Sequence, residues 1–198
     1  MKRLGVLISG KGSNLRAVLE KKPRGVEVAC VISNVPGVLG LEVARTHGVE
    51  THVIRHQDSP SREAFDATIV KLLEASRVDF VLLAGFMRLL TPVFLNAFSR
   101  RVINVHPSLL PAFPGAHAVR DALLYGVKVT GATVHFVDEG TDTGPIILQR
   151  AVPIEDGDDE AALHARVQKI EHEIVPLAVE LWASGRLALD GRRVRAHG

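Results

Sequence analysis

Two short segments carry the residue types that acid–base chemistry needs. Asn104 and His106 stand two positions apart in an apolar run, and Asp142 follows in a loop rich in glycine and threonine. On an extended strand the first two side chains point to the same face. An amide, an imidazole and a carboxylate can together stabilise an oxyanion and move a proton. The same residues also fit a capped strand end with a structural asparagine and a surface aspartate.

A glycine-containing loop, Ser9-Gly10-Lys11-Gly12-Ser13-Asn14, links the first predicted strand to a helix. Its glycines allow a ligand to approach the backbone, and the amino terminus of a helix presents free N–H groups to an anion. The loop therefore predicts a phosphate site, with a plain strand–helix turn as the alternative. Leu15 stands where the dinucleotide fingerprint requires a third glycine, so the pattern does not favour a dinucleotide.

The segment Met87-Arg88-Leu89-Leu90 follows an almost wholly apolar run, Asp79–Gly85, which is typical of a central parallel strand. Ligands of open α/β sheets bind at the carboxyl ends of such strands. The three apolar side chains could wall a slot, whereas Arg88 could reach a carboxylate or solvent. Core packing is the alternative for each apolar residue.

The elements that must position these residues alternate along the chain. Strand-like runs occupy residues 4–8, 26–32, 51–54, 79–85 and 101–105, with helical patterns between them. This order predicts an α/β fold with a doubly wound, mostly parallel sheet. Residues 129–137 and 146–154 are predicted as antiparallel additions at the C-terminal side, before a long helix that begins at Asp158 or Asp159 and ends at about Trp182.

Two pairs, Ser59-Pro60 and Thr91-Pro92, each supply a cap residue and a first-turn proline, so each predicts a helix start. Asp190-Gly191 predicts a tight turn between two short terminal strands.

The bulk composition is ordinary for a globular protein, with 46% hydrophobic and 23% charged residues and a net charge of +2. We therefore expect neither nucleic acid nor a membrane as a partner. The apolar run after Met1-Lys2-Arg3 stops at Ser9, which is too short for a signal peptide or a membrane span, and a cytoplasmic location is predicted. Cys30, the only cysteine, is interpreted as a core thiol. No HExxH pattern is present, and no metal is expected.

Four segments resemble, in order, the folate-dependent phosphoribosylglycinamide formyltransferases of purine synthesis. They are Ile8–Leu15, Leu83–Arg88, Asn104–Pro111 and Asp142–Pro145, and the similarity extends from Leu4 to about Trp182. The resemblance implies a Rossmann-like formyltransferase fold and a single domain over residues 1–198. Residues 1–105 would form a phosphate-binding half, and residues 106–198 a folate-binding and catalytic half with the long helix.

The resemblance also implies roles for individual residues. Asn104, His106 and Asp142 would form the catalytic set. Gly12, Ser13 and Asn14 would hold the substrate phosphate, and Glu171 would contact the ribonucleotide. The implied folate pocket consists of Met87, Arg88, Leu89, Leu90, Val137, Asp138, Gly140 and Asp142. Gly115 and His117 fall in a loop that lies near the transfer centre in relatives.

The implied reaction transfers a formyl group from 10-formyltetrahydrofolate, a co-substrate, to the primary amine of 5-phosphoribosylglycinamide. Attack of the amine produces a tetrahedral oxyanion, which Asn104 and His106 would face while Asp142 manages the proton. The only partners expected are small-molecule substrates, and the chain is expected to be a monomer or a weak homodimer.

Three alternatives stay open at this stage. A formyltetrahydrofolate deformylase would use water as the acceptor, but its relatives carry a regulatory domain before the catalytic one, whereas the first strand here begins at Leu4. A methionyl-tRNA formyltransferase would need a further carboxy-terminal domain, for which 198 residues leave no room. The third alternative is a non-catalytic folate- or nucleotide-binding module.

Overall fold

Strands and helices alternate through the first half of the chain, as the apolar pattern predicts. A computed structural model describes residues 1–197. Its strands are β1 (Lys2–Ile8), β2 (Val26–Ser33), β3 (Glu50–Val53), β4 (Phe80–Leu83), β5 (Val102–His106), β6 (Val129–Phe136), β7 (Ile146–Pro153), β8 (Leu187–Asp190) and β9 (Arg193–Ala196). Its α-helices are α1 (Ser13–Lys21), α2 (Leu39–Thr46), α3 (Arg62–Ala75), α4 (Pro92–Ala97), α5 (Ala118–Tyr125) and α6 (Glu160–Ala183), and a 3-10 turn spans His56–Asp58.

Seven strands form one sheet in the order β3-β2-β1-β4-β5-β6-β7. The five strands from β3 to β5 are parallel, and β6 and β7 are antiparallel additions. The predicted doubly wound, mostly parallel sheet is therefore confirmed. The strand order reverses between β1 and β4, which is the position where open α/β sheets bind ligands. The hairpin β8–β9 forms a separate sheet around the predicted turn.

Apolar side chains pack on both faces of the sheet, because successive strand residues point to opposite sides. One buried cluster joins the sheet to α1, α2 and α6. The second joins it to α3 and α4 and includes the buried thiol of Cys30. On the first face Phe80 stacks against Trp182 with ring centroids 4.0 Å apart. No helix within residues 1–197 is long and apolar enough to cross a membrane.

The cap of one helix differs from the predicted residue, and the structure decides between the two predicted caps of another. Ser61, rather than Ser59, caps α3, because its hydroxyl accepts the N–H of Ala64 at 3.1 Å. Asp159 caps α6 by accepting the N–H of Ala162 at 2.7 Å, whereas Asp158 pairs with Arg166. Helix α5 is absent from the predictions, since neither a side-chain cap nor a first-turn proline marks its start.

A contact between two glycines fixes the loop after β1. Gly12 adopts φ = 71°, and a Cβ there would lie 2.6 Å from the Cα of Gly40. A hydrogen bond joins the same two segments: the N–H of Gly40, in the first turn of α2, donates to the carbonyl of Gly10 at 3.1 Å. The conformation of the loop therefore depends on two residues without side chains.

We expect Gly40→Ala to destabilise the protein although alanine favours helices. Its Cβ would lie 2.6 Å from Ile8 Cδ1 and 2.9 Å from the Gly10 carbonyl oxygen. Overpacking of this kind costs about 1–3 kcal/mol, which should lower the melting temperature by roughly 2–10 °C. Gly157→Ala is the matched control, because nothing lies within 4 Å of its added Cβ. Equal melting temperatures for both variants would contradict the contact.

Candidate active site

Asn104 and His106 end strand β5, and their neighbours on β6 complete a polar cluster. Asn104 lies opposite His135 in the antiparallel register, and its Nδ2 is 3.2 Å from His135 Nε2. His106 is 4% exposed, and its Nε2 lies 2.7 Å from the carbonyl oxygen of Phe113. The two residues that were predicted to share a strand face thus meet polar partners at the end of that strand.

Asp142 joins this cluster from the loop after β6. One carboxylate oxygen lies 3.4 Å from His106 Nδ1 and accepts the N–H of Gly115 at 2.8 Å. The other oxygen lies 3.7 Å from His135 Nε2. Asn104, His106 and Asp142 are therefore brought together, although 36 positions separate the histidine from the aspartate.

Hydrogen bonds identify the ring nitrogens that carry protons. His135 Nδ1 donates to the Phe136 carbonyl at 2.7 Å, so in the neutral ring Nε2 is an acceptor for the Asn104 amide. His106 Nε2 donates to the Phe113 carbonyl, which leaves Nδ1 facing the Asp142 carboxylate. Asn104 thus has one N–H engaged by His135, and its second N–H has no hydrogen-bond partner within residues 1–197.

The environment shifts the pKa values of His106 and Asp142 in the same direction. Burial lowers the pKa of His106 below its ordinary value, although the Phe113 carbonyl and the charge of Asp142 oppose this shift. Burial raises the pKa of Asp142, but His135, the N–H of Gly115 and His106 together outweigh it, so the pKa lies below the usual range. Both groups are therefore deprotonated near neutral pH.

The loop that carries Asp142 is held by its own polar groups. Asp142 adopts φ = 55°, an uncommon conformation for a residue other than glycine and one that marks functional loops. The carboxylate of Asp138 accepts the N–H of Gly140 at 3.1 Å and the Thr143 hydroxyl at 2.6 Å. Asp138 and Gly140, which the resemblance assigned to the folate pocket, therefore already have contacts within the loop. Val137, from the same set, is half-buried and packs against the second core cluster.

The loop after β1 meets helix α6. Gly12 precedes the first turn of α1, where the leading N–H groups have no acceptor within the helix. Ser13 Oγ accepts from Gln168 at 2.9 Å, and Asn14 Nδ2 donates to Glu171 at 2.9 Å. Glu171 is 7% exposed, and its burial raises the pKa of the carboxyl group. Asn14 Oδ1 is buried without a hydrogen-bond partner among the described residues.

The segment after β4 exposes part of its apolar surface. Met87 and Leu89 are 71% and 60% exposed, whereas Leu90 packs against the second core cluster. Arg88 does not reach a carboxylate: its guanidinium lies 5.5 Å from the ring centroid of Phe65. Two exposed apolar side chains beside the switch point of the sheet are suited to contact an apolar ligand.

Sequence patterns missed two groups that complete the site, His135 and Gln168. His135 stands in the apolar strand β6, and only the register with β5 identifies it as the neighbour of Asn104. Gln168 lies one helical turn before Glu171 on α6. That spacing of three residues was the only signal that could have indicated a shared helix face.

Residues 1–197 contain no group of three or more His, Cys, Asp or Glu side chains that could hold a metal ion. His52 and His56 have the spacing of a helical metal pair, but they lie on β3 and on the 3-10 turn. An open cavity of about 570 Å³ is lined by Arg3, Glu50 and His52, at the amino ends of strands and away from the predicted site.

The fold and the site together define a doubly wound α/β protein with a polar cluster at the carboxyl edge of its sheet. A family model described as formyl transferase matches residues 2–179. The chain therefore belongs to the formyl transferase family.

Individual relatives are similar over most of this chain. Phosphoribosylglycinamide formyltransferase of Mycobacterium tuberculosis is 47% identical over 97% of this chain and 93% of that protein. The trifunctional purine biosynthetic protein adenosine-3 of Drosophila pseudoobscura is 51% identical over 94% of this chain, but the chain spans only 14% of its length. The crystal structure of glycinamide ribonucleotide transformylase 1 from Symbiobacterium toebii has a TM-score of 0.98 at 51% identity, and the match covers 100% of this chain and 95% of that one.

We expect His106 to titrate below the ordinary histidine pKa of about 6.5, and Asp142→Asn to lower its pKa further. The reason is that Asp142 is one of the groups that favour the charged imidazole. Two-dimensional NMR titration of both proteins measures the effect, with His197 as a reference signal. A His106 pKa that rises in the variant would contradict the electrostatic assignment.

Proposed function

We propose that this chain transfers a formyl group from 10-formyltetrahydrofolate to the primary amine of 5-phosphoribosylglycinamide. The observation that carries the proposal is the cluster of Asn104, His106 and Asp142 beside a helix amino terminus suited to a phosphate. A relative that is 47% identical over 97% of this chain bears the name phosphoribosylglycinamide formyltransferase, and this similarity supports the proposal. The proposed reaction requires a site for one phosphate, one amine and one formyl donor.

The ribonucleotide phosphate is assigned to the amino terminus of α1. Free N–H groups after Gly12 and the positive end of the helix dipole favour an anion there. Because Ser13 and Asn14 direct their side chains to α6, we assign phosphate binding chiefly to the backbone. Two inter-strand spacings, about 10 Å, separate the ends of β1 and β5, a distance that a ribose and a glycinamide can span.

The middle of the ribonucleotide is assigned to Asn14 and Glu171. The unpartnered Oδ1 of Asn14 and the carboxylate of Glu171 are both acceptors in a buried setting. A ligand that supplies hydroxyl or N–H donors would satisfy them, and a ribose carries such hydroxyl groups. The raised pKa of Glu171 fits a site that is completed by a donor from the ligand.

The folate is assigned to the segment Met87–Leu90, Val137 and the loop Asp138–Asp142. Met87 and Leu89 expose apolar surface that a flat heteroaromatic ring would cover. Asp138 and Gly140 are proposed to act through the backbone of their loop, since the Asp138 carboxylate is occupied by Gly140 and Thr143. Arg88 is proposed to support the segment from its position over Phe65.

The reaction needs one donor for an oxyanion and one acceptor for a proton. The amine nitrogen bonds to the formyl carbon, whose carbonyl oxygen becomes the oxyanion, and the free N–H of Asn104 donates to it. The ammonium proton passes to Asp142 and His106 Nδ1, which face each other without a proton between them. That proton then reaches N10 of the folate as the carbon–N10 bond breaks. No metal is required by these steps.

We propose a role for His106 that differs from the one implied by the resemblance. Its Nε2 donates to the Phe113 carbonyl, and its Nδ1 faces the Asp142 carboxylate at 3.4 Å, a position suited to receive a proton. We therefore assign His106 to proton transfer with Asp142, and the oxyanion to Asn104. His135 is proposed as a positioning residue, because its Nε2 orients the Asn104 amide.

We also propose that residues 1–198 act as one domain, with phosphate binding in 1–105 and catalysis in 106–198. The support is a sheet that runs without interruption from β4 through β5 to β6. Each half also contributes residues to the site of the other. Glu171 of α6, from residues 106–198, lies on the phosphate side, and Met87–Leu90, from residues 1–105, are assigned to the folate.

The activity is tested by the absorbance change that accompanies tetrahydrofolate release, with and without the ribonucleotide. We expect release only when both substrates are present. Release without the ribonucleotide would instead indicate a hydrolase that uses water, and an absence of release in both mixtures would indicate a binding module.

We expect Asp142→Asn to lower kcat by about 10²–10⁴ with the fold intact, since general acid–base groups contribute factors of this size. The measurement is steady-state turnover together with thermal melting. Asp156→Asn, which removes a carboxylate from an exposed turn, is the matched control and should retain wild-type turnover. Near-normal turnover in a folded Asp142→Asn protein would overturn the assignment.

A further inference from the structure

The loop Gly85–Thr91 holds exposed apolar side chains without regular secondary structure. Its start is fixed to the sheet, because Ser9 Oγ accepts the N–H of Met87 at 2.9 Å. Its middle and its end lie against α3, a helix that contributes none of the residues assigned above. The contacts of α3 therefore bear on the shape of this loop.

Asp66 on α3 forms the strongest of these contacts. Its carboxylate is 2% exposed and accepts both the N–H and the hydroxyl of Thr91, at 2.6 and 2.7 Å. Burial raises the pKa of Asp66, while the two hydrogen bonds from Thr91 and the charges of Arg62 and Arg88 oppose the rise. A buried carboxylate with two short hydrogen bonds to one residue holds that residue in a defined position.

Thr91 has a different partner from the one its place in the chain predicts. It is the N-cap residue of α4, and a threonine at this position usually accepts an N–H of its own helix. Here its side chain makes no capping hydrogen bond, and the hydroxyl donates to Asp66 instead. The hydroxyl group is therefore used to join the end of the loop to α3.

Two further contacts come from the same face of α3. Arg62 Nη2 donates to the carbonyl of Leu89 at 3.0 Å. The Arg88 guanidinium lies over the ring of Phe65. Residues 62, 65 and 66 are spaced by three and four positions, so they share one helix face. This face supports the loop along the length from Arg88 to Thr91.

We propose that Asp66 is a positioning residue for folate binding: through Thr91 it holds the loop that presents Met87 and Leu89 to the folate. The proposal rests on the proposed function, because that function assigns the loop to the folate. The Asp66 carboxylate contacts Thr91, so we expect it to act through that residue and to affect only the folate side of the site.

Thr91→Val is the first test, because it removes the hydroxyl and keeps the shape and the backbone N–H. Loss of a hydrogen bond to a charged group should raise the KM for 10-formyltetrahydrofolate about tenfold. The KM for the ribonucleotide should stay within about twofold of the wild-type value. Thr91→Ser restores the hydroxyl and should recover most of the folate affinity.

Thr68→Val, on the same helix as Asp66, is the matched control. Its hydroxyl donates to the carbonyl of Ala64 on the exposed side of α3, away from the loop. Both KM values should remain at the wild-type level in this variant. Asp66→Asn should reproduce the folate-specific effect and should increase amide hydrogen exchange in residues 86–90 relative to the rest of the sheet.

Calorimetry with 5-formyltetrahydrofolate, an unreactive folate, distinguishes a failure of the role of Asp66 from a failure of the proposed function. If the wild-type protein binds it and folded Thr91→Val binds it about tenfold more weakly, the positioning role is supported. Equal binding by both proteins overturns the role of Asp66 and leaves the proposed function standing. No binding by the wild type overturns both. Equal increases in the two KM values would also overturn the role, because they would indicate a general loss of structure.

Discussion

The register of three parallel strands is the constraint on which the site depends. Leu7 of β1 pairs with Leu83 of β4, and Leu83 pairs with Asn104 of β5. The three strands therefore end at one level, and the loops that follow them meet at one edge. A shift by one residue would turn Asn104 to the opposite face of the sheet. The polar cluster is stable only because a buried apolar sheet holds this register.

Buried carboxylates surround this edge, and none of them is neutralised by a lysine or arginine in direct contact. Asp66 is held by Thr91, Glu171 by Asn14, and Asp142 by the N–H of Gly115. Hydrogen bonds of this kind offset part of the desolvation cost of a buried charge. The surroundings then set different protonation tendencies: burial raises the pKa of Asp66 and Glu171, whereas the donors around Asp142 lower its pKa. One kind of group, the carboxylate, is thereby suited to the three different roles proposed for Asp66, Glu171 and Asp142.

Local patterns were sufficient for most of the fold. Strand-like runs of four to nine residues predicted the seven strands of the sheet, most plainly β4, where burial on both faces removes polar residues from a central strand. Capping chemistry was less reliable. Ser59-Pro60 has the composition of a helix start, yet Ser61 takes the cap of α3 and Ser59 ends a 3-10 turn. Thr91 has the position of a cap, yet its hydroxyl donates to Asp66. Side-chain hydrogen bonds follow the nearest partner in space, which the sequence alone does not reveal.

Local patterns in the chain predict the order of the seven sheet strands, the glycine loop and the segments that carry Asn104, His106 and Asp142. Each of these depends on residues within a few positions of one another, so the local pattern contains the information. The folded chain alone shows that His135 lies beside the Asn104 amide, that Gln168 and Glu171 meet the loop after β1, and that His106 lies between Phe113 and Asp142. The physical reason is that these contacts join residues 7 to 157 positions apart. Strand register and helix packing, rather than local preference, bring such residues together.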